Sequence, residues 1–267
     1  MFFWRFGMGS KALFVVSFGT SYDDTREKTI GAAERALAAA FPDHTLYTAF
    51  TSGMVRRALA ARGIGVSGVE DALLQMERDG ARELLCQPTH LIRGEEYDKL
   101  SALLKEHAGR FDRVRLGLPL LSDYDDIGAV LAAVRAHVAR EKDEALVLMG
   151  HGTGHFCNTV YAAMDYYAQR AGMRDVCIGT VEAWPDLSAA MNCVRERGYR
   201  RAVLTPLMLV AGDHAQNDMT GPGSTSWLSQ FRAAGIETRA VVRGLGQYEE
   251  IRALYCEHAR KAAEHGA

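Results

Sequence analysis

The sequence predicts an α/β protein of two similar Rossmann-like units, each a four-stranded parallel sheet flanked by helices, with a cleft between them. Three observations lead there. Strand-like and helix-like segments alternate almost throughout. The strand-like ones are continuous apolar runs, as strands covered on both faces require. The second half of the chain then repeats the first in the same order.

Residues 11–18 are the first apolar run, rich in Val and Phe and ended by Gly19-Thr20. Asp23 and Asp24 offer an N-cap to an Ala-rich helix that runs through residue 40 and is closed by Pro42. A strand at 44–50, helices at 54–61 and 69–79, a strand at 83–88, a helix at 95–108 and a strand at 113–118 complete the first unit. A long helix over 124–142 follows. The order then restarts with strand 145–149, helix 158–171, strand 176–180 and helix 187–197. Strand 202–207, helix 227–234, strand 238–242 and a final helix over 248–264 end the chain. The expected units span 11–125 and 126–267.

The repeat is visible residue by residue. Leu13-Phe14-Val15-Val16-Ser17-Phe18-Gly19-Thr20 aligns with Leu146-Val147-Leu148-Met149-Gly150-His151-Gly152-Thr153. Thr48-Ala49-Phe50-Thr51 is set against Thr180-Val181-Glu182-Ala183. The run from Pro88 to Glu96 is set against that from Pro206 to His214, with Gly94 over Gly212. All three matches lie at the carboxyl ends of strands, where open α/β sheets bind their ligands.

Composition narrows the function. The 267 residues carry 31 Lys+Arg against 33 Asp+Glu, a net charge of -2, with 48% hydrophobic residues. That balance does not suit neutralising a run of phosphates, so no nucleic-acid partner is expected. No apolar stretch approaches the ~20 residues that span a bilayer, so no membrane role is expected either. Met1-Phe2-Phe3-Trp4-Arg5-Phe6 is aromatic but too short for a secretory signal, and reads as an extension ahead of a cytoplasmic protein. Cys86, Cys157, Cys177, Cys193 and Cys256 are scattered and never spaced Cys-x-x-Cys. They are expected to be unpaired, buried apolar residues in a reducing compartment.

At the matched strand ends the second unit carries His151, Glu182 and His214, where the first has Phe18, Phe50 or Thr51, and Glu96. Two imidazoles and a carboxylate suit Co, Zn, Fe or Ni and leave coordination positions open. The same trio also suits proton transfer as base, acid and electrostatic partner. Each residue alone is more often structural than functional, and their convergence favours function. His155 repeats a His-x-x-x-His spacing, but Gly152 and Gly154 argue against a helix there, leaving a supporting or substrate contact. Gly150-x-Gly152-x-Gly154 lacks the Gly-x-Gly-x-x-Gly spacing, so no nucleotide is expected. His90 is either a polar strand terminus or part of the opposite cleft wall. Ser17 and Thr20 are read as turn or substrate contacts.

Met149-Gly150-His151-Gly152-Thr153-x-His155, Val181-Glu182-x-x-Pro185 and the run from Pro206 to Met219 resemble the anaerobic sirohydrochlorin cobaltochelatases. The segments from Ser17 to Tyr22 and from His90 to Tyr97 are similar to that family too, so the resemblance runs from about Lys11 to the C-terminus. It implies a class II chelatase, a lyase forming nitrogen–metal bonds, that inserts Co²⁺ into sirohydrochlorin without ATP in cobalamin biosynthesis. It further implies that His151, Glu182 and His214 bind the metal while a histidine accepts macrocycle protons. The tetrapyrrole carboxylates then need donors, for which Arg93, Arg56, Arg57, Arg26 and the hydroxyls of Ser17, Thr20 and Ser21 are candidates, with His90 and His155 also expected around the substrate. A homo-oligomer is expected. The rival readings are a chelatase preferring Fe²⁺ or Ni²⁺, or another tetrapyrrole, and a carrier of metal or tetrapyrrole without turnover.

Overall fold

The computed structural model describes residues 10–265, so the extension at Met1-Phe6 lies outside the described residues. The first half contains β1 (Ser10–Ser17), α1 (Asp23–Arg26), a π-helical turn (Glu27–Gly31), α2 (Ala32–Ala40), β2 (Thr45–Phe50), α3 (Gly53–Ala60), α4 (Val69–Arg78), β3 (Ala81–Pro88), α5 (Glu95–His107) and β4 (Arg113–Leu116). After α6 (Tyr124–His137) come β5 (Glu144–Gly150), α7 (Thr159–Arg170), β6 (Val176–Thr180), α8 (Leu187–Glu196) and β7 (Arg201–Pro206). A second π-helical turn (Ala215–Met219), α9 (Trp227–Ala233), β8 (Glu237–Ala240) and α10 (Glu249–His265) follow.

The strands form two parallel four-stranded sheets ordered β2-β1-β3-β4 and β6-β5-β7-β8. The shared order reverses beside β1 and beside β5, which makes the loops after β1, β3, β5 and β7 the crevice-forming ones. The continuous apolar runs are explained by burial on both faces: every residue of β5 is buried. Even Glu144 is held there, by Nε and Nη2 of Arg239, which donate to its two carboxylate oxygens at 2.8 and 2.7 Å.

Register confirms the repeat. Val16 pairs with Pro88 and Met149 with Pro206. The carbonyls of Val16 and Met149 accept from Thr89 and Leu207, each at 2.8 Å. Gly19 and Gly152 both take positive φ, 105° and 84°. One expected match shifts, however. Ser17 pairs with Phe50 and Gly150 with Thr180, and Ser52 N donates to Phe18 O as Glu182 N does to His151 O. The structural counterpart of Glu182 is therefore Ser52, not Phe50 or Thr51.

Three further expectations are corrected. Asp23 and Asp24 do not cap the first helix: Tyr22 holds the N-cap position with no side-chain bond, and Asp23 instead pairs with Arg26 and Arg62. The helix from residue 124 stops at His137, where Arg140 turns back onto the carbonyls of Arg135 and Val138. Cys177 and Cys193, expected to be unpaired, form a disulfide because α8 lays Cys193 over β6, with Cα atoms 5.9 Å apart. Cys86 and Cys256 are free and buried as expected, and Cys157 is free and half-buried.

The two sheets are tied together by α10, which returns from the second half to cover the first sheet. Cys256, Ala259 and Ala262 pack with Leu13, Val15 and Leu37, and Tyr255 Oη donates to Thr89 O at 2.8 Å. Gly246, just before α10, approaches the first π-helical turn so closely that a Cβ would stand 2.9 Å from Thr29 Cα. No helix among the described residues is long and apolar enough to cross a membrane.

His258 on α10 meets Asp126 on α6 at 2.9 Å, with both side chains buried. Its other ring nitrogen faces Leu118 O at 3.2 Å, so the doubly protonated ring is fully used. Burial opposes that charge, yet the Asp126 carboxylate outweighs it and the His258 pKa rises. For Asp126 burial pushes upward, and the bonds from His258, Ser122 N and Asp123 N bring it below the ordinary value. His258's contribution is complete below its unfolded value of ~6.5 and lost as pH rises through the raised one. Asp126's is complete above ~3.9 and lost as pH falls through the depressed one. Urea unfolding should therefore show Asp126→Ala costing about 3–5 kcal/mol near pH 5.5 and clearly less near pH 9. Equal costs at both values would mean the pair is not ionic.

Candidate metal and proton-transfer site

His151 leaves β5 between two residues that tolerate no side chain. A Cβ on Gly150 would sit 2.4 Å from the Tyr161 ring, and one on Gly152 2.9 Å from Ala183 N. The strand therefore ends against Tyr161, turns through the left-handed Gly152, and projects the imidazole outward. Glu182 is fixed to the same turn through its backbone, since Val181 N donates to Gly150 O and Glu182 N to His151 O. Ser52, its counterpart, caps α3 by accepting from Val55 N. In the second unit that task passes to Asp186, which caps α8. The longer loop leaves Glu182 with no helix to cap.

His214 lies beyond β7, immediately before the π-helical turn. Its Nδ1 is 2.6 Å from Asp218 Oδ2. A carboxylate only accepts, so Nδ1 carries the proton and Nε2 keeps its lone pair. His151 Nδ1 likewise faces Gly152 O at 2.7 Å, leaving its Nε2 lone pair free. The His214 ring is thus set in the tautomer that ligates through Nε2, whereas the His151 nitrogen nearest Glu182 is Nδ1.

The three side chains converge. His151 Nδ1 is 3.6 Å from one Glu182 oxygen and His214 Nε2 is 4.0 Å from the other. The two rings meet edge to face with centroids 4.6 Å apart, and one ligand atom from each residue lies within 4.8 Å of the others. A single ion with ligands at ~2.1 Å holds them at most ~4.2 Å apart, so a small closure suffices. All three remain partly exposed, which suits an ion that must enter and leave.

The other expected site residues are placed differently. Ser17 is buried, with its hydroxyl 2.7 Å from that of Thr89. Thr20 is buried and accepts from Tyr22 N. His155 accepts from Cys157 N through Nδ1 and turns Nε2 toward Asp98 at 3.5 Å. These polar groups close turns and link the units. His90 does not present its nitrogens to a cleft wall: both are buried without a partner, and burial lowers its pKa to about 4 against a weaker upward pull from Glu96. Ser21 is half-buried, its carbonyl accepting from Arg62 at 2.6 Å, and Arg93 is exposed. Arg26 is paired with Asp23, Arg57 is exposed, and Arg56 lines a hollow of about 260 Å³ with Thr51, Glu96 and Lys99. A second hollow of about 490 Å³ lies between α7 and α8, and neither is lined by the trio.

One functional partner escaped sequence reasoning. Asp218 sits four residues after His214, a spacing that signals contact once a helical turn is assumed.

The sequence pattern of the family described as cobalt chelatase (CbiK) matches residues 11–264. The chain belongs to this family. It is 41% identical over 256 residues to the sirohydrochlorin cobaltochelatase of Salmonella typhimurium, covering 94% of this chain and 96% of that protein. It is 32% identical to the sirohydrochlorin cobaltochelatase CbiKC of Nitratidesulfovibrio vulgaris, covering 96% and 91%. Among solved structures, SirB from Bacillus subtilis with Fe3+ superposes with a TM-score of 0.64 over 96% of each chain. At 11% identity that likeness shows the chelatase-type fold alone.

The Asp218–His214 pair generates a test within this cobalt chelatase family member. Asp218→Asn should lower Co²⁺ affinity about 10–100-fold, the usual cost of losing the carboxylate behind a ligating imidazole. Unfolding midpoints should barely move, because Asp218 is substantially exposed. A metal titration that matches the wild type would separate Asp218 from the site.

Proposed function

We propose that this chain inserts Co²⁺ into sirohydrochlorin without nucleotide, holding the ion with His151, Glu182 and His214. The convergence of these three residues at the ends of adjacent strands, in a member of the cobalt chelatase family, is the observation that carries the reading.

The chemistry exchanges one divalent cation for two inner pyrrole N–H protons. Two imidazole nitrogens and one carboxylate hold Co²⁺ while leaving positions for pyrrole nitrogens. As the ion passes to the macrocycle, each imidazole regains a lone pair and can accept a proton. The Glu182 charge favours the cation beforehand and the imidazolium afterwards. Two protons leave the ring, and two histidines stand where the ion was.

The decisive assay mixes protein, sirohydrochlorin and Co²⁺ and follows the macrocycle absorption, with the protein well below the macrocycle concentration. Repeated turnover is expected, whereas a single stoichiometric change would indicate a carrier. Faster insertion of Fe²⁺ or Ni²⁺ in parallel reactions would reassign the metal. His151→Ala and His214→Ala should each lower insertion at least about 100-fold with little change in stability, since partly exposed residues pack weakly. Glu182→Gln should weaken Co²⁺ binding while leaving sirohydrochlorin binding largely intact. Rates that survive all three substitutions would overturn the assignment.

A further inference from the structure

The duplicated scaffold puts an unexplained aromatic side chain where the second unit carries His151. Phe18 follows β1 as His151 follows β5: its carbonyl accepts from Ser52 N at 3.1 Å, as that of His151 accepts from Glu182 N at 2.9 Å. A left-handed glycine comes next in both. Yet Phe18 is 48% exposed, and Met54, two residues beyond Ser52 in the first turn of α3, is 71% exposed. Fully burying a Phe or Met side chain is worth about 1.5–3 kcal/mol, and much of that is forgone here. Folding does not account for an aromatic ring at this place.

The location does. Each unit's third-strand loop lies against the first-strand loop of the other. Gly94 packs beside Cys157, whose Sγ would be 3.3 Å from a Cβ at that glycine, and Gly212 beside Thr20, whose Oγ1 would be 3.4 Å away. Two polar bridges repeat the arrangement, His155 to Asp98 at 3.5 Å and Tyr22 Oη to Asp213 at 3.3 Å. Tyr22 and His155 hold matching places after Gly19 and Gly152 in the aligned loops. The loop from Phe18 to Tyr22 therefore rests on the segment that delivers His214. Phe18 and His151 are the first residues of these two crossing loops.

We propose that Phe18, with the exposed Met54 at the start of α3, seats the face of the macrocycle turned away from the metal. This rests on the reading of the chain as a sirohydrochlorin chelatase. A flat tetrapyrrole receives its ion from one side only. Its other face is apolar and broad, and an aromatic ring offset beneath it gives stacking in addition to area burial. The carboxylate-bearing rim of the macrocycle meets water, while the ring is pressed toward His151 and His214. The first unit, which has no second histidine–glutamate set at these positions, thus supplies the wall against which insertion takes place.

Phe18→Ala, Phe18→Tyr and Met54→Ala test this, because partly exposed positions can change without loss of fold. Sirohydrochlorin affinity is measured by absorption titration without metal, Co²⁺ affinity by titration without macrocycle, and insertion by steady-state rates. Phe18→Ala should weaken sirohydrochlorin binding about tenfold and raise KM in step, with Co²⁺ affinity unchanged. Phe18→Tyr should stay close to wild type, and Met54→Ala should show a smaller loss of the same kind. Wild-type macrocycle affinity in Phe18→Ala overturns the proposal, as does a matching loss of Co²⁺ affinity, which would place Phe18 among the supports of the metal site. Wild-type protein that binds sirohydrochlorin but never inserts cobalt overturns the proposed turnover, and the binding comparison still decides the role of Phe18.

Discussion

The parallel register of β5 with its two neighbours is the constraint on which the rest of the structure depends. β5 pairs with β6 on one side and β7 on the other, and parallel strands end on one common edge. His151 follows β5, Glu182 follows β6, and His214 lies in the segment beyond β7. The amides after β6 bond to the carbonyls of Gly150 and His151, so the carboxylate is placed by the same backbone that places the first imidazole. A shift of one strand by one residue would separate the three groups. Glycine at 150 and 152 is the local cost of that closeness, and the apolar burial of β5 holds it in place.

The two units show how one scaffold comes to carry two kinds of surface. Strand order, register and the left-handed glycine are common to both. What differs is the residue at each matched end: Phe18, Ser52 and Glu96 in the first, His151, Glu182 and His214 in the second. Ser52 is occupied in capping α3. Residues 182–185 lengthen the second loop and move the cap to Asp186, which frees a carboxylate to face the histidines. The C-terminal helix then binds the two halves into one body through its apolar face and the Asp126–His258 pair.

Much of this was legible in the sequence. Strands buried on both faces are continuous apolar runs, so all eight were found, and the repeat led to the three converging residues. Other features depend on geometry that composition does not carry. Thr180 is displaced by two places in the alignment because the connection from the first strand to the second is three residues shorter in the second unit. Ser17, Thr20 and His155 are read as substrate contacts in sequence; in the structure Ser17 meets the Thr89 hydroxyl, while Thr20 and His155 accept from the amides of Tyr22 and Cys157. His90 is drawn inward beneath Tyr255, which bonds the neighbouring Thr89 carbonyl. Asp218 meets His214 through the i,i+4 spacing of a helical turn, and the Cys177–Cys193 disulfide arises from a strand–helix crossing that leaves no spacing signature.

The account stands on one ion being held by two imidazoles and one carboxylate. Cobalt-edge X-ray absorption on protein loaded with a single equivalent of Co²⁺ tests that directly. The predicted spectrum shows two imidazole nitrogens and one carboxylate oxygen at about 2.0–2.2 Å, with the imidazole scattering halved in His151→Ala and in His214→Ala. Cobalt surrounded by water oxygens alone, or a spectrum unchanged by both substitutions, would contradict it.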